Sequence, residues 1–555
     1  MRETTPIDAI AEGYVDALVE HSPMAATFLG IPGHDHLMDD LSPAARAEWA
    51  QVERDTLAQL AATAPHDDTD RVTIAAMQDR LGLSVESYEA GDQKAELNNI
   101  ASPLQRLHEV FDLMPTDTPD HWAAVASRMS SIPAAMDGWI ETLREGIRDG
   151  VVPARRAVAD GVTQARALAN PATSRFHTLA AEAGAAGAGG QDIDDAAGRA
   201  SQAYERLANF LADDLAPVAR ESDAVGRERY ERASREFIGA RIDLDETYEW
   251  GVEALNHIAA EQEVLARKIA GPGASVADAV RTLNADPATQ IHGKEALQEW
   301  MQATSQKAME ELDRVHFDIP APVRTLECRI APSQTGAIYY TGPAEDWSRP
   351  GRMWWSVPEG VTEFNTWMEK TTVFHEGVPG HHLQIGQAVF NAAELNRWRR
   401  LVCWNSGHGE GWALYAERLM EEFGFLELLG DRFGMLDAQR LRATRVVVDL
   451  GVHLGKPAFA RYGGGTWDHD KAWALLRDNV QVEEKQLRFE LNRYMSWPGQ
   501  APSYRVGQRI WEQIRHDAER LATERGETFS LKHFHTHALN LGSLPLDVLR
   551  AQMLR

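Results

Sequence analysis

Three imidazoles and one carboxylate lie close together in the stretch Phe374-His375-Glu376-Gly377-Val378-Pro379-Gly380-His381-His382-Leu383-Gln384. A hydrolytic zinc site needs two or three neutral imidazoles, usually a carboxylate ligand, and a second carboxylate that accepts a proton from water. Zinc peptidases often supply these groups as H-E-x-x-H on one helix, in which the Glu beside the first His is the base. The stretch therefore predicts a zinc site with His375 as a ligand and Glu376 as the catalytic base.

The second histidine ligand is not fixed by this pattern, because the position four residues after His375 is a proline. In a regular helix His382 would share the face of His375 but lie about 10 Å away, which is too far for one ion. The Pro379-Gly380 step can loosen the helix into a bulge that returns the chain towards His375. Accepting the bulge favours His381 as the ligand, while His382 stays the alternative.

A second motif follows at residues 406–417, which read SGHGEGWALYAE and carry two glutamates seven positions apart. The pattern E-G-x-A-x-Y-x-E resembles the ligand helix of the aminopeptidase branch of zinc peptidases. That resemblance implies Glu410 as the third ligand. The alternative is that the histidines are polar, inert residues at a helix break, and a second matching motif weighs against it.

Three long motifs together resemble the bacterial domain-of-unknown-function 885 family: HEGVPGHHLQ at 375–384, GEGWALYAE at 409–417 and PGQAPSYRVG at 498–507. The likeness covers most of the chain. It implies a mostly helical fold, similar to the thermolysin-clan or gluzincin-type zinc metallopeptidases, with two histidines and one glutamate as metal ligands.

The expected architecture is mainly α, a large multi-helix fold with two lobes around a cleft. With 555 residues and 44% hydrophobic content, the chain exceeds one compact domain. We expect a helical scaffold or lid region at 1–320 and the zinc-site region at 321–555, intertwined as one unit. The Gly-rich stretch 180–190 is expected to be a loop or hinge.

The sequence just before the histidine motif changes character. Residues 324–330, 336–340 and 352–357 have the β-branched and aromatic content of short strands separated by Pro and Gly. We expect a small antiparallel sheet beside the metal helix, with Tyr340 as a substrate contact. Its edge could hold an extended substrate by main-chain hydrogen bonds, or it could only cap the helices.

Two further segments carry candidate site residues. Arg445, Asp449 and His453 share one helical face, where Asp449 could hold a ligand imidazole and His453 could stabilise an oxyanion, unless the face is an ordinary ion-pair stripe. In the Pro- and Gly-rich segment near 500, a neutral Tyr504 could donate to the oxyanion and Arg505 could bind a peptide carboxylate, unless the turn is only a packing corner.

Composition restricts the partners and the location. The net charge of −27 and a pI near 5.2 argue against nucleic acid or an anionic membrane as partner. Cys328 and Cys403 are the only cysteines and lie far apart in sequence, which favours reduced thiols. With no apolar run of membrane-spanning length and no recognisable signal peptide, we expect a cytoplasmic protein. The oligomeric state is open.

These features predict a zinc-dependent hydrolase that cleaves peptide bonds of oligopeptides by Glu-assisted attack of zinc-bound water. Glu376 is the expected base, and Tyr504 or His453 the expected oxyanion donor. Two alternatives remain open: a zinc hydrolase of another amide or an ester, and a non-catalytic helical binding protein. Glu376 argues against the last alternative, because metal binding does not need it.

Overall fold

The computed structural model describes residues 2–331 and 338–555, and the architecture is mainly helical. The helices are α1 (Pro6–His21), α2 (Pro23–Leu29), α3 (Pro43–Ala62), α4 (Asp68–Glu89), α5 (Pro103–Glu109), α6 (Pro119–Asp149), α7 (Arg155–Ala169), α8 (Arg175–Ala185), α9 (Gln191–Phe210), α10 (Arg227–Ile238), α11 (Leu244–Ala270), α12 (Val276–Asn284), α13 (Lys294–Leu312), α14 (Thr366–Glu376), α15 (His381–Phe390), α16 (Ser406–Glu422), α17 (Leu429–His453), α18 (His469–Asn479), α19 (Glu484–Ser496), α20 (Ser503–Glu524), α21 (Leu531–Asn540) and α22 (Leu546–Met553). The strands are β1 (Gln290–His292), β2 (Leu326–Ile330), β3 (Ile338–Thr341), β4 (Gly351–Trp355) and β5 (Glu363–Asn365).

Local signals in the sequence explain where the long helices begin. The side chain of Thr118 accepts a hydrogen bond from the backbone of His121 at the start of α6, and Pro119 occupies the first turn. The carboxylate of Asp243 caps α11 in the same way. None of the described helices is both long and apolar enough to cross a membrane.

The largest hydrophobic core joins helices from both ends of the chain. Ile7 of α1, Met77 of α4 and Leu255 of α11 are buried in the same cluster as Trp367 of α14 and Leu436 of α17. Residues on both sides of position 320 therefore share one core. Helices α14, α16, α17 and α20, which carry the candidate site, all pack in this core.

A second core lies among helices α5 to α9, where Phe111, Trp139, Phe176 and Tyr204 are buried together. The expected loop at 180–190 is wrong in its first half, because α8 continues to Ala185. Ala180 and Ala183 are buried in this second core, and their packing stabilises a helix that the glycine content alone argues against.

The small sheet beside the metal motif is mixed, so the expectation of a fully antiparallel sheet is wrong. The strand order is β2-β4-β3, in which β2 and β4 run parallel and β3 and β4 antiparallel. The predicted strand at 336–340 begins in 336–337, outside the described residues, and its remainder is β3. A separate antiparallel pair, β1 with β5, was not expected from the sequence.

Helix α13 covers the outer edge of β2. The side-chain amide of Gln302 in α13 donates to the carbonyl of Leu326 at 2.9 Å and accepts from the backbone of Cys328 at 3.0 Å. This amide takes the place of a neighbouring strand along β2. Backbone groups at the outer edge of β2 are therefore already hydrogen-bonded to α13.

Candidate metal centre

The metal motif occupies the junction between α14 and α15 rather than a bulge inside one helix. Helix α14 ends at Glu376, and α15 begins at His381. In the turn between them the backbone of Gly380 donates to the carbonyl of Phe374 at 3.1 Å. A Cβ atom on Gly380 would lie 1.9 Å from the carbonyl oxygen of His375, so only glycine fits here.

This turn brings His381 back onto His375. Their ring centroids are 4.9 Å apart and the ring planes are nearly perpendicular. One ligand atom from each of His375, Glu376 and His381 lies within 4.8 Å of the others. The approach expected from the Pro-Gly step is present, and it results from a complete break between two helices.

Glu410 completes the cluster from α16. Its Oε2 lies 3.3 Å from Nε2 of His375 and 3.5 Å from Nε2 of His381. The two histidines and Glu410 thus direct three ligand atoms at one another from three different helices. The four residues of the cluster, His375, Glu376, His381 and Glu410, are those predicted from the sequence as candidate metal ligands and base.

A second glutamate on α16 orients the first histidine. Oε1 of Glu417 lies 2.8 Å from Nδ1 of His375, and Oε2 of Glu417 accepts a hydrogen bond from the Thr371 hydroxyl at 2.9 Å. Glu417 is the last residue of the motif at 406–417, but no role was predicted for it from the sequence. The signal was its spacing, because residues seven apart share a helix face and Glu410 was already a candidate ligand.

The protonation of His375 bears on whether its ring and Glu410 could bind a metal ion. If Nδ1 of His375 donates its proton to Glu417, the Nε2 atom of the neutral ring presents a lone pair to Glu410. Oε2 of Glu410 is buried and, among the described residues, has no hydrogen-bond partner. Lone pairs that face one another repel unless a cation lies between them. Two imidazoles and a carboxylate are a donor set that suits zinc.

The pKa values of His375 and Glu376 also indicate that the cluster favours a positive charge. Burial by itself lowers the pKa of His375, but the neighbouring carboxylates of Glu410 and Glu417 outweigh it and raise the pKa to about 10. Burial raises the pKa of Glu376, and His381 and His375 oppose that rise. Glu376 is thus a buried carboxylate whose proton affinity exceeds that of an exposed glutamate.

His382 points away from the cluster. Its Nδ1 lies 2.9 Å from the hydroxyl of Tyr340, and its Nε2 lies 2.6 Å from the carbonyl of Val323. Burial lowers the pKa of His382 to about 4, so the ring is neutral and links β3 to α15. Tyr340, the expected substrate contact, thus uses its hydroxyl to position this histidine.

Tyr504 lies within electrostatic reach of the cluster. Burial raises the pKa of its phenol, Glu410 raises it further, and two guanidiniums oppose the rise. Those cations belong to Arg445 and Arg493, whose guanidinium carbons lie 4.8 and 5.9 Å from the ring centre. A neutral phenol that can donate a hydrogen bond is therefore available beside Glu410.

The structure does not bring the other predicted residues to the cluster. Nε2 of His453 lies 2.9 Å from the carbonyl oxygen of Tyr494. Asp449 accepts from the hydroxyl of Tyr230 at 2.6 Å, whereas the expectation was a ligand imidazole. In the described part of the chain, Glu417 and not Asp449 contacts a ligand histidine.

Arg505 also faces away from the metal ligands. Its guanidinium carbon lies 5.4 Å from the ring centre of Trp250, and Nη1 lies 3.8 Å from Glu512. The helix turns by about 100° between Tyr504 and Arg505, and the two side chains make different contacts. The described contacts of Arg505 therefore belong to the packing between α11 and α20.

An exposed tryptophan flanks the cluster and was not anticipated. Trp404 is 45% exposed, and its ring centre lies 6.2 Å from that of His381. A Cβ atom on Gly409 would lie 2.2 Å from the Trp404 ring, so the glycine next to Glu410 makes room for the indole. The indole forms an apolar wall at the edge of the site.

Comparisons with known proteins agree with the fold. A putative lipoprotein from Colwellia psychrerythraea is similar over 99% of this chain and 98% of its own, with 21% identity and a TM-score of 0.83. A putative lipoprotein of unknown function from Shewanella oneidensis is similar over the full length of both chains, with 17% identity and a TM-score of 0.75. At these identities the likeness concerns the fold alone.

Sequence comparison gives the family. No curated protein matches the chain. The family described as bacterial protein of unknown function (DUF885) matches residues 23–553, which is nearly the whole chain. The chain therefore belongs to the DUF885 family of bacterial proteins.

Proposed function

We propose that this protein is a zinc-dependent hydrolase that cleaves peptide bonds. The observation that carries the proposal is that Oε2 of Glu410 lies within 3.5 Å of Nε2 of both His375 and His381, while Nδ1 of His375 is held by Glu417. Three lone pairs that meet in a buried site call for a cation, and the donor set matches hydrolytic zinc sites.

The metal would be held by His375, His381 and Glu410. When bound, such an ion acts as a Lewis acid that polarises a substrate carbonyl and makes water more acidic. Glu417 keeps the His375 ring in the orientation and tautomer that binding requires, and Thr371 in turn fixes Glu417.

Glu376 would accept the proton of the attacking water and deliver it to the leaving amine. Its raised pKa suits the first half of this transfer, because a base with higher proton affinity takes the proton more readily. The neutral phenol of Tyr504 would donate a hydrogen bond to the oxyanion that forms on the substrate carbonyl.

Peptides are the favoured substrate class because of the sheet. β3 is an outer strand that pairs with β4 on one side, and its Tyr340 is hydrogen-bonded to His382, the neighbour of His381. An extended main chain could lie along β3 and reach the metal ligands. The wall formed by Trp404 would contact an apolar side chain.

Metal analysis combined with a peptide-library digest tests this function. The purified protein should contain about one zinc per chain, and the digest should yield cleaved peptides. Glu376→Gln should keep the metal and lose turnover by about 10²- to 10⁴-fold, because an amide cannot accept the proton. A protein that binds zinc and cleaves esters or other amides, but no peptide, would replace the peptide assignment. Absence of zinc would remove the hydrolase assignment itself.

We place the protein in the cytoplasm on the basis of its cysteines. Cys328 and Cys403 are both buried free thiols, and burial raises the pKa of each to about 11. Such thiols are protonated and unreactive at neutral pH. Localisation of the full-length protein by cell fractionation tests this placement.

A further inference from the structure

The register between α16 and α17 fixes which part of α17 faces the metal cluster. Nε of Arg432 donates to Glu421 at 2.8 Å, and Nε2 of Gln439 donates to the carbonyl of Leu414 at 3.4 Å. A position seven residues later in α17 therefore lies beside a position seven residues earlier in α16. The same antiparallel register places Arg442 level with Gly411, the residue after Glu410.

The guanidinium of Arg442 has few partners at this position. Nη1 donates to the carbonyl of Ala438 at 3.1 Å, one turn earlier in the same helix. Nε is buried and has no hydrogen-bond partner among the described residues. No carboxylate in residues 2–331 and 338–555 forms an ion pair with it, whereas Arg432 and Arg445 of the same helix are paired with Glu421 and Glu490.

A partly buried guanidinium without a counter-charge is costly, because removing a cation from water is repaid only by an anionic partner. The two acidic residues of the neighbouring metal cluster already interact with other residues. Glu410 faces His375 and His381, and Glu376 belongs to the same metal cluster. The buried Nε of Arg442, which has no hydrogen-bond partner among the described residues, therefore suits an anion that arrives with the substrate.

We propose that Arg442 forms a subsite for a substrate carboxylate, which narrows the substrates to peptides with a carboxylate close to the scissile bond. This inference rests on the proposed peptidase function. Arginine recognises a carboxylate through two parallel N–H donors. The net charge of −27 disfavours anionic ligands in general, so an acidic substrate requires a local cation of this kind. The carboxylate is either the C-terminus of the peptide or an acidic side chain.

The binding of three probes to zinc-loaded full-length protein tests the subsite. The probes are N-acetyl-trialanine, its C-terminal amide, and the amide of N-acetyl-Ala-Ala-Glu, measured by calorimetry in the Glu376→Gln variant so that turnover does not interfere. The free acid should bind at least about tenfold more tightly than the neutral amide, because a hydrogen-bonded charge pair is worth about 1.5–3 kcal/mol. The glutamyl amide shows whether a side-chain carboxylate substitutes for the C-terminus.

Arg442→Gln, added to that variant, should remove the preference for carboxylate and leave binding of the neutral amide and the zinc content unchanged. Arg432→Gln is the matched control, since it removes the same charge from the same helix at an ion pair far from the cluster. Arg505→Gln tests whether Arg505, rather than Arg442, binds the substrate carboxylate. Loss of the preference in Arg505→Gln but not in Arg442→Gln would overturn the proposal.

The remaining outcomes separate the subsite from the function on which it rests. Equal binding of acid and amide, or an equal loss for all probes in Arg442→Gln, would refute the subsite while leaving the hydrolase proposal intact. Failure of every probe to bind to protein that contains zinc would instead reject the peptide assignment, and the carboxylate subsite with it.

Discussion

Oε1 of Glu417 lies 2.8 Å from Nδ1 of His375, although the two residues are 42 positions apart in the chain. Glu417 is two helical turns after Glu410 on α16, so one face of a single helix supplies both the carboxylate beside Nε2 of His375 and the carboxylate at its Nδ1. A single imidazole is thus held between two glutamates of the same helix. The rigidity of that helix fixes the distance between ligand and support.

Replacing Glu417 tests this arrangement directly. Glu417→Gln keeps the shape of the side chain but weakens the acceptor that holds the His375 proton, so the histidine becomes a poorer ligand. We expect a loss of zinc affinity of about 10- to 100-fold with little change in the fold. Competition with a zinc chelator measures the affinity.

Glu422→Gln provides the control for this measurement, because Glu422 lies on the same helix and pairs at its surface with Arg515. Its zinc affinity should equal that of the unmodified protein. Equal affinities for Glu417→Gln and the unmodified protein would show that the contact with His375 does not support a metal.

The two neighbouring histidines should behave differently. His381→Ala removes a ligand atom that lies 3.5 Å from Glu410 and should abolish stoichiometric zinc binding. His382→Ala should keep the zinc, because its ring contacts Tyr340 and Val323 rather than the cluster. Metal analysis of both variants after dialysis distinguishes them, and the opposite pattern would exchange their roles.

The return of the chain towards His375 could be predicted from the spacing of the residues in the histidine motif. A proline four residues after His375 excludes an ordinary H-E-x-x-H helix, so two histidine ligands for one ion required the chain to turn back. The sequence could not show that the turn is a complete helix break. The reason is that the close approach of Gly380 to the carbonyl of His375 depends on three-dimensional packing.

Long-range partners could not be predicted from local patterns. Arg445, Asp449 and His453 do share a helix face, as their spacing indicates, but their partners come from distant elements. Asp449 receives the hydroxyl of Tyr230, 219 residues earlier. Periodicity along one helix says which residues point together, and it says nothing about what other helices present to them.

Gly380→Ala should disrupt the metal motif. The added Cβ would lie 1.9 Å from the His375 carbonyl oxygen and 2.5 Å from that of Phe374, and backbone atoms cannot move aside cheaply. We expect a decrease of about 3 kcal/mol or more in the free energy of unfolding, together with loss of zinc. Gly184→Ala, in α8, meets no atom within 4 Å and should be neutral or stabilising. Denaturant unfolding compares the two, and equal stability would contradict the close approach.

Glu490 should make the protein sensitive to acid. It accepts hydrogen bonds from Arg445 at 2.9 Å, Arg493 at 3.2 Å and the hydroxyl of Tyr494 at 2.6 Å. Burial alone raises its pKa, but the attraction of the two arginines outweighs burial and lowers the pKa to about 2. Because the pKa is lower in the folded chain than in the unfolded chain, the ionised form stabilises the fold.

That stabilisation, about 3 kcal/mol, should be complete above pH 5, decrease as the pH falls below the unfolded pKa near 4.5, and vanish near pH 2. Glu490→Gln should therefore be less stable than the unmodified protein at pH 7, by about this amount, and the difference should shrink steadily on acidification. Denaturant unfolding at a series of pH values measures it. Glu484→Gln, which breaks an exposed pair with Arg488 in the same helix, should change stability by less than about 0.5 kcal/mol. A difference between Glu490→Gln and the unmodified protein that stays constant from pH 7 to pH 3 would mean that packing, and not the ionised carboxylate, makes Glu490 important.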